Sequence, residues 1–352
     1  MHGLKPLIAL PLLFALLIPA NAQDESLEDK LREMVSDNAK GYLAPVATAF
    51  GTSMNSGTFR KARPHKLFGF DATVNFSFTA IPQTALTYDF IVIKDLTLPI
   101  PLGTTTYQVP LDGDQLYPVD NRATPTFFGS DAGVTLAPDA DYAFNATKTY
   151  LVGQGVPGAS VDAIETDIRN LITSELTFNT IGGINLEFLP MVMPQIALGL
   201  PFGLEFMLRG FTVPLGDGGD ELKFSGYGVK FYLNKVLPTI PLVFPAMSVG
   251  YYRTNMDLAG VITASNNIIN FQASKSIPFI TVYGGIGLEN SSISIMVDDA
   301  QGNNLLDFKL DGENRFRTTV GVRLKLLLLS INYDYNAGEY VAHNIGLGLT
   351  FR

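Results

Sequence analysis

The chain has 352 residues, no cysteine and a net charge of −9. It is 47% hydrophobic but only 16% charged, against roughly 25% charged for a typical soluble domain. Without cysteine there is no disulfide, thiol nucleophile, cysteine-held zinc or lipoprotein anchor. The acidic balance, with no basic patch laced with aromatics, argues against nucleic acid as a partner.

The first residues, "MHGLKPLIALPLLFALLIPANAQ", carry Lys5, an apolar run over residues 7–18 and the small-residue box Ala20-Asn21-Ala22. That is the plan of a secretory signal peptide, cleaved after Ala22. Residues 1–22 are therefore set aside as an address, and the mature chain is exported. Residues 23–66 form a leader. Its first part, "DESLEDKLREMVSDNAK", predicts a helix over 24–40, with Ser26 and Asp29 at capping-box spacing and Leu27, Leu31, Met34 and Val35 on one stripe. The remainder, rich in Gly, Ser and Thr, reads as irregular chain and is one candidate to plug or cap a barrel.

"FGFDATVNFSFTA", from Phe68, alternates Phe68, Phe70, Ala72, Val74, Phe76, Phe78 and Ala80 with Gly69, Asp71, Thr73, Asn75, Ser77 and Thr79. A period of two marks a strand with unlike faces. A long insert follows at about 82–175, with a possible strand in "YDFIVIKDLTL". Prolines and glycines between Pro99 and Pro157 predict turns and loops there. "SVDAIETDIRNLITSE" predicts a helix, capped by Ser160, with Val161, Ile164, Ile168, Leu171 and Ile172 on one face. The insert is the second candidate to plug or cap a barrel.

From Leu176 onward strand signals are dense. "LTFNTIGGINLEF" reads as a strand. "PQIALGLPFGLEFMLRGF" sets Ile196, Leu198, Leu200, Phe202, Leu204, Phe206 and Leu208 against Gln195, Gly199, Gly203, Glu205 and Arg209. Alternation recurs near Tyr227, Phe316 and Tyr333, and ends in Ile345, Leu347, Leu349 and Phe351.

Soluble sandwiches alternate too. Here the predicted strands run to about ten residues or more, the length a tilted membrane strand needs, whereas globular strands average about 5–6. The polar register is rich in glycine, small polar residues and charges of both signs, as a barrel interior is. No helix beyond the signal reaches the roughly 20 apolar residues of a span. The fold class read from this is all-β: a transmembrane antiparallel barrel of about 10–14 strands over residues 67–352. The apolar face then meets lipid.

The terminal strand, with Ile345, Leu347, Leu349 and Phe351, resembles the targeting strand of bacterial outer-membrane proteins; Arg352 after the phenylalanine is a departure. The stretch "YLAPVATAFGTSMNSGTFRKARPHKLFGFDATVNFSFTAIP" resembles the entry to the barrel in uncharacterised outer-membrane families of Bacteroidetes type. Its leader is also loosely similar to the hatch of FadL-like transporters of hydrophobic compounds, with no binding residue to carry over. The resemblance implies residence in the outer membrane, contact with the bilayer and lipopolysaccharide, and a targeting role for Phe351 toward the barrel-assembly machinery.

No catalytic motif is present. "GQGVPG" lacks the strand and lysine of a phosphate loop. "DGDQ" and "GDGGDE" are acidic turns, calcium-like in composition only. Of the histidines outside the signal, His65 has no partner motif and His343 falls on the lipid register. Neither enzyme, metal nor cofactor is expected. The informative charges are on the inward register: Asp71, Glu205, Arg209, Lys230, Glu289, Arg317, Arg323, Lys325 and Asp334. They serve either a polar pathway that selects solutes or a network of ion pairs that seals a narrow barrel. The function expected is passage of a small or hydrophobic solute. The alternatives are a barrel without transport (adhesion, membrane integrity or assembly) and a secreted ligand-binding sandwich.

Overall fold

The computed structural model describes residues 25–215, 221–237, 244–298 and 304–352. The predicted signal peptide, with Ala20 and Ala22, lies outside the described residues. So do the side chains of the predicted Ser26–Asp29 cap and of the stripe through Leu27, Leu31, Met34 and Val35. The chain divides into two units, one of Gln83–Asn185 with the chain up to Leu43, the other of Ala44–Pro82 with Leu186–Arg352.

Helix α1 (Glu25–Met54) belongs to both units. Its length corrects the sequence reading, which ended the helix near Lys40. Gly41 and Pro45 lie inside it. An interior proline costs about 3 kcal/mol in an open helix, because it lacks a donor and crowds the preceding turn. Burial outweighs that cost, since Ala47, Thr48, Ala49, Thr52, Ser53 and Met54 are all buried. Gly41 is required by packing: a Cβ there would sit 2.6 Å from the Tyr88 ring.

β1 (Phe70–Ala80) follows. The insert then runs through β2 (Thr87–Asp89), β3 (Asp95–Leu102), β4 (Thr105–Asp112), α2 (Gly113–Leu116), β5 (Ala123–Pro125) and β6 (Thr135–Leu136). It continues through α3 (Ala140–Gly153), α4 (Gly158–Asp162), α5 (Glu165–Leu176) and β7 (Phe178–Asn179). The β3–β4 hairpin turns at Gly103, φ +63°. Its Leu98, Ile100, Val109 and Leu111 share a core with Phe144 and Leu151 of α3 and Ile168 and Ile172 of α5.

Three expectations are corrected here. α3 lies where loops were predicted, and the side chain of Asp139 caps it by accepting from the Asp141 and Tyr142 amides at 3.0 and 2.9 Å. The helix predicted to start at Ser160 is two helices. Ser160 is inside α4, which begins after Pro157. The strand predicted over 176–188 shrinks to β7, paired only with β6.

The barrel unit resumes with β8 (Phe188–Gly199), β9 (Leu204–Pro214), β10 (Glu221–Tyr232), β11 (Ala246–Leu258) and β12 (Ile262–Ile277). It ends with β13 (Ile280–Asp298), β14 (Asn304–Asp311), β15 (Phe316–Leu326), β16 (Leu329–Ala337) and β17 (Ala342–Phe351). Among the described residues ten of these strands close a ring, in the order β12-β11-β10-β9-β8-β1-β17-β16-β15-β13, with β13 returning to β12. All pairs are antiparallel. β14 adds to the upper part of β13 only. Closure between the first and last strands runs from Phe70↔Phe351 to Thr79↔Ala342.

The ring is inside-out relative to a soluble core. Along β1 the buried residues are Asp71, Thr73, Asn75, Ser77 and Thr79, while Phe70, Val74 and Phe78 are exposed. The same inversion runs round the wall: Ile196, Leu208, Val229, Tyr251, Phe271, Val282, Val320, Ile331 and Leu347 all face outward. Predicted inward Gly203 is a correction. It lies in the turn over residues 200–203 with φ +82°, so the long alternating run is two strands, not one. Face parity survives the turn, which hid it.

Candidate functional site

After α1 the chain stays inside the ring. The last carbonyls of a helix lack partners and carry partial negative charge. Two wall arginines supply both needs. Arg209 Nη1 donates to the Met54 carbonyl at 2.8 Å, and Arg317 Nη2 to the Thr52 carbonyl at 2.8 Å. Gly57 then turns the leader at φ +70°, and a Cβ there would meet Asn75 at 2.9 Å.

Beyond the turn, wall side chains act as strand partners for the leader. Gln272 Oε1 accepts from the Arg60 amide at 2.9 Å and Ser274 Oγ from the Ala62 amide at 2.9 Å, and Lys230 Nζ donates to the Lys61 carbonyl at 3.0 Å. Arg60 reaches Asp71 at 2.5 Å, and Arg323 and Thr73 also bond that carboxylate. Glu205 accepts from Lys230 at 2.6 Å and bonds His65 Nδ1 at 2.7 Å. Glu289 holds Arg317 at 3.1 Å and Asn55 at 2.9 Å, and bonds Asn314. Asp334 bonds Tyr283 and, at 2.8 Å, Asn344.

Of the nine inward candidates, Asp71, Glu205, Arg209, Lys230, Glu289, Arg317, Arg323 and Asp334 are buried in this network. Lys325 is the exception: it keeps the inward register but is exposed near the end of β15, where the wall runs out. The leader residues Asn55, Ser56, Arg60 and His65 were missed, because a segment without a period shows no face. The cation run "FRKARPHK" was the one signal, since charges entering a barrel with acidic walls need partners. His343 faces outward and bonds the Tyr333 hydroxyl at 2.8 Å.

One seam of the wall is incomplete. β8 pairs with β1 over its whole length, and β9 with β10 likewise. Between β8 and β9, pairing runs only from Gly199↔Glu205 to Gln195↔Arg209. Above that, the two strands continue unpaired. The Gly199 amide donates to Gly69 at 2.8 Å and the Glu187 carbonyl accepts from Ile81 at 2.9 Å, so odd residues of β8 turn their main chain toward β1. Even residues turn toward β9, and two of them, Pro190 and Pro194, have no N–H. Proline belongs in a strand only where its missing donor faces a free edge. Pro214 ends β9 on the other side. An open groove of about 800 Å³ lies on the outer face where pairing stops, bordered by Val74, Ile196 and Leu208, and beneath it the buried Arg209 donates to Gln195 at 2.8 Å.

Residues 1–351 match a family of unknown function, DUF6588. The chain belongs to that family. No curated protein matches it. Among solved structures it is similar to the β domain of the Bordetella autotransporter BrkA, at 13% identity over 47% of this chain and 91% of that chain, with a TM-score of 0.20.

Proposed function

We propose that this DUF6588 barrel is an outer-membrane protein, not an enzyme, that passes a small hydrophobic solute sideways through its wall. The apolar exterior supports the membrane. Strands such as β1 (11 residues), β16 (9) and β17 (10) have the length for a span, for which about 9–11 tilted residues suffice. At the end where β1 begins and β17 finishes, three of the four strand connections are turns of two to four residues, and the long excursion leaves from the other end. In outer-membrane barrels the short turns are periplasmic. The exported chain, delivered by its signal and by the assembly machinery through Phe351, would then contact phospholipid on one side and lipopolysaccharide on the other.

The unpaired β8–β9 seam carries the transport reading. The leader's ion pairs occupy the lumen, so an axial water path is not available to a large solute. In hydrocarbon an open strand edge is tolerated only where it lines a cavity. Here prolines reduce the number of unpaired donors, and an open groove on the barrel's outer face runs over the seam. A leader held inside the barrel also supports the likeness to FadL-like transporters.

The test bridges the seam. The natural chain lacks cysteine, so Pro194→Cys with Gly210→Cys gives one reactive pair. Cells carrying that variant should take up the uncharged fluorophore N-phenylnaphthylamine as the parent does. A short bismaleimide should reduce uptake at least tenfold, while a monofunctional maleimide should not. Equal uptake with the seam bridged overturns lateral passage.

A further inference from the structure

The barrel is electrically polarised along its axis. Residues 59–70, 199–204, 231–237, 244–247, 274–281, 324–330 and 350–352 lie at the rim of the barrel where β1 begins and β17 finishes. They contain no Asp or Glu. They do contain Arg60, Lys61, Arg63, Lys66, Lys235, Lys275, Lys325 and Arg352. The nearest carboxylates are already engaged, Asp71 by Arg60 and Arg323, and Glu205 by Lys230 and His65. Among the described residues no carboxylate pairs with Lys61, Arg63 or Lys235.

Several of these cations converge. A pocket of about 420 Å³ lies between the leader and the β10–β11 connection, lined by Lys61, Arg63, Lys235, Lys275, Ser276 and Phe244 among others. Arg63 is steadied over the Tyr232 ring at 5.8 Å. The stem of Lys235 packs on Gly203, where a Cβ would come within 2.9 Å of it. Lys61, in the leader and outside the strands, is pushed down to about 8 by burial and by the neighbouring Arg323, Arg63, Lys325 and Lys230. Like charges crowded in this way favour an anion.

The same rim shows a second, independent feature. Phe68, Phe202, Phe279 and Leu327 stand at its turns with φ of 61°, 62°, 73° and 54°. Their exposures are 73%, 84%, 66% and 92%. A turn in water fills such positions with Gly or Asn. Bulky apolar tips beside lysines and arginines match the boundary of a bilayer, where apolar groups enter the acyl region and cations meet phosphates.

We infer that the Lys61–Arg63–Lys235 pocket binds the phosphate of an anionic phospholipid headgroup, with the lipid's chains lying against the apolar turn tips. The inference rests on the membrane reading above and names the lipid phosphate as ligand rather than free phosphate. Each non-bridging phosphate oxygen accepts from an ammonium or guanidinium.

The experiment uses the full mature chain folded in detergent, with phosphatidylglycerol, phosphatidylcholine and inorganic phosphate as probes, read by native mass spectrometry. A 1:1 phosphatidylglycerol adduct should survive detergent exchange, with at least tenfold preference over phosphatidylcholine. Lys61→Gln with Arg63→Gln should lower retention at least tenfold. Lys223→Gln with Lys309→Gln, at the opposite end, should leave it unchanged and control for general charge. Retention unaffected by the Lys61/Arg63 pair overturns the site. Displacement of the lipid by low-millimolar inorganic phosphate overturns the headgroup assignment in favour of a free-anion site. A chain that stays soluble without detergent sinks the membrane reading itself. A barrel that inserts but shows no lipid preference sinks only this inference.

Discussion

Asp71→Asn is expected to loosen the leader from the barrel and lower stability by about 3–5 kcal/mol, the usual cost of removing one partner of a buried charge network. The carboxylate has no exposure and sits between Arg60 of the leader and Arg323 of the wall. Asparagine keeps the shape but leaves two guanidiniums facing each other without a counter-charge. The wall alone retains its backbone ladders, so the loss falls on the leader. A cysteine at Ala62, a fully buried position, reports this directly, because the chain has no other thiol. In the Ala62→Cys background a water-soluble maleimide should react slowly, and adding Asp71→Asn should speed labelling by about a hundredfold or more, following the same free-energy change. Replacing all three charges (Arg60→Met, Asp71→Leu, Arg323→Met) should give back much of the protection, since the penalty is an unpaired buried charge, not a missing attraction. Labelling that is unchanged in Asp71→Asn would show that the ion pair does not hold the leader.

The second large effect compares one substitution at two depths. Leu347→Arg, in the middle of β17, should cost about 2–4 kcal/mol in lipid vesicles. Leu327→Arg, at a rim turn, should cost about 0–1 kcal/mol. The two leucines are 47% and 92% exposed, so in water both changes would fall within about ±0.5 kcal/mol. Only a hydrocarbon environment separates them, because a guanidinium at mid-depth loses its hydration, whereas one at the rim reaches water. Folding midpoints of the two variants in the same vesicles make the measurement. Equal midpoints would return the exterior of this barrel to water.

Much was legible because a strand's period is short and local. In β1 each odd position from Asp71 to Thr79 is polar and each even position apolar, and no tertiary information is needed to see two faces. Strand length, with the absence of apolar helices, then set which face is outside. The same locality produced the errors. Residues 194–211 keep one alternation through the turn over residues 200–203, so two strands read as one and Gly203 was given a wall position it does not have. Lys325 obeys parity, but parity says nothing of where a wall ends.

The sequence by itself determined the two-faced strands, the polar identity of the inward register, and eight charges that end up buried. Tertiary structure alone decided how those charges pair, because Asp71 meets Arg323 and Glu289 meets Asn55 across hundreds of residues. It alone extended α1 through Pro45, where burial outweighs a local penalty. It alone left β8 and β9 unpaired above Gln195 and Arg209. The prolines that permit the seam stand in the sequence, but which neighbour their missing donors face is fixed only when the ring closes.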